Sequence, residues 1–171
     1  LITAANYLVD YPFANRLYPG ALDVLKLFRK WGQTVILTDG DMVLQPRKVQ
    51  RSGIFETVEG NVLIYVHKEE ALEDIKRRYP AEHYVLVDDK LRILTAFKKA
   101  WGNRVTTVFP RQGEFALDPQ VLAFYPAADI SVGRISDLLS YDLPDLLPDR
   151  QFTTNEIRSS TPERTLNQNK K

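Results

Sequence analysis

Short apolar runs, each closing on a polar group, recur along this chain between segments of helical periodicity. That alternation constrains the fold more than any other feature. Thr34-Val35-Ile36-Leu37-Thr38 is bounded by Asp39-Gly40-Asp41; Val62-Leu63-Ile64-Tyr65-Val66 runs into His67-Lys68; Tyr84-Val85-Leu86-Val87 runs into Asp88-Asp89. Continuous apolar runs of this length are the pattern of strands buried on both faces. Thr57-Val58-Glu59, Val105 to Phe109 and Ala128 to Val132 are further strand candidates. Among the helices, Tyr18-Pro19-Gly20 opens the first expected one, with Leu22, Leu25 and Phe28 at helical spacing. Pro19 suits a first helical turn and Gly32 a left-handed stop. Further helices are expected over 46–52, ending at Gly53, over 69–79, stopped by Pro80, over 91–101, stopped by Gly102, and over 135–139. Residues 1–13 read as a short helix and a Tyr11-Pro12 turn. Helix and strand in alternation imply an α/β fold, a three-layer Rossmann-like parallel sheet with helices on both faces and right-handed crossovers.

The length of 171 residues fits one domain of ordinary size. With 23 basic against 22 acidic residues, the net charge of +1 argues against a nucleic-acid partner. The absence of cysteine excludes a disulfide framework and a thiolate metal site. No apolar run is long enough to span a bilayer, and the opening residues LITAANYLVD show no signal peptide, so a cytoplasmic protein with no membrane partner is expected. Nothing in the sequence fixes the oligomeric state. From Pro144 the chain turns rich in Pro, Asp, Ser, Thr and Asn, which suggests a flexible tail.

In a parallel sheet all strand carboxyl ends share one rim, and open α/β sheets bind ligands there. Thr38, Lys68 and the Asp88-Asp89 pair then meet at one edge from three separate strands. Adjacent carboxylates are unfavourable unless a cation or donors compensate, and oxygen-only ligands suit Mg²⁺ when phosphate is the partner. An Asp before a helix also caps it, but two are more than a cap needs. Lys68 stands before Glu69-Glu70 at a helix start, where a cation is disfavoured unless an anion is bound nearby. The Thr38 hydroxyl is suited to donate to a phosphate oxygen. Asp39, Gly40 and Asp41 are held as a tight turn of secondary importance, and His67 as a neighbour on the rim.

The order of these pieces over about residues 18 to 140 resembles the haloacid dehalogenase-like (HAD) hydrolase superfamily. Thr38 looks like the second family motif, which holds the phosphoryl group. Lys68 looks like the third, which neutralises the phosphate and the nucleophile. Val85-Leu86-Val87-Asp88-Asp89-Lys90 looks like the fourth, whose acids hold Mg²⁺. The first motif, an Asp-x-Asp at the end of a central strand, is not found; Asp10 is followed two residues on by Pro12 and fails the pattern. The resemblance implies a helical-cap remnant over 1–17, a core domain over 18–142 and a flexible tail over 143–171. It also implies that the nucleophile lies upstream of Leu1 and that the central first strand is missing between those ending at Thr38 and Asp89. Such a deletion leaves two backbone edges unpaired, so a gap is expected there and lower stability than in a longer polypeptide.

For the complete protein the resemblance implies Mg²⁺-dependent hydrolysis of a phosphorylated small molecule through an aspartyl-phosphate, with little turnover in this chain alone. The alternative is a catalytically silent HAD-like domain acting as a binding or interaction module. A receiver-like domain carries its acidic pair before its Thr and Lys, the reverse of the order here. Dehalogenation needs no metal and leaves the paired acids unexplained.

Overall fold

The structure, a computed structural model, describes residues 17–39 and 49–148. The expectations for 1–16, for Gly40, Asp41 and 46–48, and for the tail beyond 148 lie outside the described residues. The element order is α1 (Ala21–Arg29), β1 (Ile36–Asp39), α2 (Ile54–Thr57), β2 (Val62–Tyr65), α3 (Leu72–Arg78), β3 (Tyr84–Val87), α4 (Leu91–Trp101), β4 (Val105–Pro110), α5 (Pro119–Phe124) and β5 (Ile130–Val132). Among the described residues no helix is long and apolar enough to cross a membrane.

Every described strand pairs in parallel, as the alternation predicts, and the helices pack on two faces. On one face Val24 of α1 is buried with Val108, Val132, Leu138 and Leu146. On the other, Ile93, Phe97 and Trp101 of α4 are buried with Leu63, Ile75 and Val105. The spacing along α4 places its apolar residues on one side of a 3.6-residue helix, so one stripe contacts the sheet.

Several local expectations are corrected. Pro19 is not in the first helical turn. Ala21 N donates to Tyr18 O at 3.0 Å, and Gly20 has φ 79 and ψ −3. This is the third position of a type II turn, which precedes the helix. A side chain at Gly20 would also press within 2.9 Å of Ser136 Cβ. Gly32 does not adopt the left-handed conformation. Instead α1 tightens at its end through Lys30 N to Leu27 O and Trp31 N to Phe28 O, both 3.0 Å. Thr57-Val58-Glu59 is no strand: Thr57 ends α2, Val58 is fully buried, and Glu59 turns at φ 53. The helix expected over 69–79 divides into a 3₁₀ turn, Lys68–Glu70, and α3. That expected over 135–139 is 3₁₀, Ile135–Ser140. No expectation covered α5, although Asp118 before Pro119 marks it: the Asp118 carboxylate caps Gln120 N at 2.9 Å. The core also runs past residue 142. Leu143–Leu146 is a 3₁₀ turn, and Leu146, 1% exposed, belongs to the α1 face of the core.

The sheet is split. β1 and β2 form one two-stranded sheet, with Ile36 opposite Val62 and Asp39 opposite Tyr65. β3, β4 and β5 form a second, with β4 in the middle. Between the facing edges of β1 and β3 lies a cavity of about 580 Å³, lined by Ile36, Leu37, Val85, Val87, Phe97 and Leu146 among others. The gap expected between the strands ending at Thr38 and Asp89 is present.

Candidate functional site

The carboxyl ends of β1, β2 and β3 meet across the top of this cavity. Lys68 leaves β2 through His67 and begins the 3₁₀ turn Lys68–Glu70. Its backbone N donates to Asp39 Oδ1 at 2.8 Å, which ties the end of β1 to the residue following β2. Its ammonium is paired with Asp88, and the two side chains are 9% and 8% exposed. Asp88 uses both carboxylate oxygens: Oδ2 accepts from Lys68 Nζ and Oδ1 accepts from Lys90 N at 2.9 Å. The bond to Lys90 N is an Asx turn just ahead of α4, whose N-cap, Lys90, has no side-chain cap, so the capping expectation is not met, and the same Asp88 holds the lysine.

A second ion pair spans the same gap. Arg92, in the first turn of α4, is paired with Glu69 of the 3₁₀ turn, and its hydrogen bond holds the Glu69 carboxyl below the usual range. Both pairs join the 3₁₀ turn after β2 to the segment after β3, so the rim couples two half-sheets whose strands are not paired with each other. Arg92 escaped the sequence reading because its role depends on the approach of α4 to the 3₁₀ turn.

Asp89 is differently placed. Burial, reinforced by the adjoining Asp88 charge, raises its carboxyl above the usual range. It faces Gly113, in the loop after β4, and the Tyr18 hydroxyl, in the turn before α1. Neither residue carried a sequence signal for this position. Thr38 is the third residue of β1, opposite Ile64, and its hydroxyl donates along its own strand to Asp39 O at 3.2 Å. The structure therefore gathers Lys68, Asp88, Asp89 and the Asp39 carboxylate, with Thr38 beside them at the end of β1 and its hydroxyl turned to the backbone. Gly40 and Asp41 lie outside the described residues.

No family model matches the chain, and no curated protein matches it. Among solved structures, a provisionally assigned haloacid dehalogenase-like hydrolase from Burkholderia xenovorans LB400 is 57% identical. It superposes with a TM-score of 0.79, and the match covers 82% of this chain. This chain belongs to the haloacid dehalogenase-like superfamily. It spans 66% of the length of that relative. The parallel sheet with flanking helices is thus a Rossmann-like HAD fold.

The rim residues of this HAD-like domain suit a hard divalent cation in one respect. The Asp89 carboxyl is disfavoured as an anion by burial and by a second carboxylate, which is the situation a cation relieves. Mg²⁺ takes only one or two protein carboxylates and keeps several waters. Asp89 fits that part. Asp88, committed to Lys68 and to Lys90 N, serves to position the lysine. Among the described residues no three His, Asp or Glu side chains group as a ready metal cluster.

Proposed function

We propose that the complete protein is a hydrolase of phosphomonoesters, working through a phosphorylated aspartate with Mg²⁺ as cofactor. The observation that carries this reading is the buried Lys68 ammonium, held by Asp88 at the rim beside Asp89. A cation fixed in a site of restricted solvent is arranged before the reaction, so it meets developing phosphoryl charge without reorganisation. The attacking carboxylate belongs, on this reading, at the end of a strand seated in the slot between β1 and β3, whose upper wall includes Asp88. Its oxygen would bond to phosphorus as the ester oxygen departs, and water would then release phosphate, dividing one difficult step into two. Lys68 would neutralise the equatorial oxygens, and the Thr38 hydroxyl, rotated from the Asp39 carbonyl, would donate to one of them. Asp89 would hold Mg²⁺, which supplies charge stabilisation when bound. The substrate is a phosphorylated small molecule.

The test is hydrolysis of p-nitrophenyl phosphate with and without Mg²⁺ by a longer polypeptide that seats a strand in the slot between β1 and β3. Lys68→Ala should lower kcat by about 10²-fold or more, the scale of losing one preorganised charge-stabilising group. Metal-independent hydrolysis, or an unchanged rate in the variant, would sink the proposal.

A further inference from the structure

Lys68 stands on a very short support. The 3₁₀ turn Lys68–Glu70 is closed by Glu70 N donating to His67 O and Ala71 N donating to Lys68 O, both at 3.1 Å. A turn this short has poor hydrogen-bond geometry and does not fix its own direction, so contacts outside it must do so. Asp39 takes the backbone N of Lys68 at 2.8 Å, and Asp88 takes its ammonium. The remaining anchor is Glu69, paired with Arg92 in the first turn of α4. Consecutive side chains of a 3₁₀ turn leave it about 120° apart, so Lys68 and Glu69 hold the turn from two directions. Both reach the segment that runs from β3 into α4.

Glu69 is the withdrawn partner of this pair: its side chain is 15% exposed against 50% for Arg92. Its Oε2 is buried with no hydrogen-bond partner among the described residues, so the carboxylate is balanced through Oε1 and the guanidinium. A carboxylate out of water is tolerated only while its cation stays in place, which ties the turn to Arg92. The Asp39 carboxylate, at the end of β1, also favours the Arg92 charge. We propose that Arg92 is a positioning residue for Lys68: through Glu69 it sets the direction of the 3₁₀ turn and hence the place of the Lys68 ammonium at the rim. The inference rests on the phosphatase reading above, in which Lys68 meets the phosphoryl oxygens, and adds to it a residue outside the family motifs. Arg92 touches neither substrate nor reacting atoms on this reading; it acts through the turn.

Steady-state hydrolysis of p-nitrophenyl phosphate by the same longer polypeptide tests this, at a temperature below the onset of melting of every variant. Arg92→Gln should lower kcat about tenfold with KM little changed, a part of the ~10²-fold that a 1 Å misplacement costs. Arg92→Lys keeps a cation for Glu69 and should recover most of the rate. Glu69→Gln removes the buried charge along with the link; it should fold, and it should match Arg92→Gln in kcat. The double variant should be no slower than either single one, because both substitutions break the same link. Losses that multiply in the double variant overturn the inference, as does an Arg92→Gln that melts earlier but keeps the wild-type kcat. If Arg92→Gln does not fold, Glu69→Gln decides alone: a wild-type kcat there overturns the inference. Lys68→Ala separates the two readings. A slow Lys68→Ala beside a fully active Arg92→Gln leaves the phosphatase reading standing and removes Arg92 from it, whereas a Lys68→Ala at the wild-type rate removes both.

Discussion

Lys68 and Asp88 show how closely stability and chemistry are coupled at a single pair. Both side chains are largely withdrawn from water, so each is tolerable only because the other is present. Replacing Lys68 by Met leaves the Asp88 charge buried beside Asp89 and should cost about 3 kcal/mol in denaturant unfolding. Adding Asp88→Asn keeps an oxygen for Lys90 N and removes the stranded charge, so the double variant should recover most of the loss. A cycle in which the two substitutions add independently would show that the pair does not act as one unit. The recovered stability would bring no recovery of phosphate chemistry, since the cation is gone.

At the scale of elements, β4 and β5 are joined by more than their ladder. Asp129 accepts from Thr107 N at 2.7 Å and from Thr107 Oγ1 at 2.8 Å, while Thr107 Oγ1 accepts in turn from Asp129 N at 3.0 Å. Lys98 of α4 donates to the same carboxylate at 2.9 Å, so one residue links two strands and a helix. Burial pushes the Asp129 carboxyl up, but the hydrogen bonds from Lys98 and Thr107 outweigh it and leave the group below its ordinary value. A carboxyl depressed in the folded state stabilises above its unfolded pKa, about 3.9, and loses that contribution as pH falls through the folded value. Asp129→Ala should therefore cost about 2 kcal/mol at pH 7, chiefly by stranding the buried Thr107 groups. The gap between variant and wild type should narrow below about pH 4. A gap independent of pH would show that the charge contributes nothing.

For the whole molecule, the governing feature is a parallel sheet divided at the β1 and β3 edges, with an apolar cavity of about 580 Å³ between the two parts. Unpaired strand edges and apolar walls are both unfavourable in water. A longer polypeptide that seats an apolar strand in this slot should unfold at higher urea concentration than the 171-residue chain. It should also unfold with a larger m-value, because more surface is exposed on unfolding. Equal midpoints would contradict the idea that the slot lacks a strand.

Much of this organisation is written in the chain itself. Tyr84–Val87 and Leu91–Trp101 fall where the apolar run and the helical spacing put them, because a buried strand and an amphipathic helix are specified by local pattern. The alternation of elements likewise determines parallel pairing and therefore a shared rim. Where local signals compete, the sequence is ambiguous. Val58 reads as strand material but is drawn, fully buried, into the end of a helical turn, and Gly32 is a suitable stop that α1 does not need. What only the tertiary structure decided is the division of labour at the rim. Asp88 and Asp89 are adjacent and identical in type, yet one is consumed by Lys68 and Lys90 N, while the other faces Gly113 and Tyr18. A carboxylate's role depends on the donors and space around it, and here those come from segments far apart in the chain.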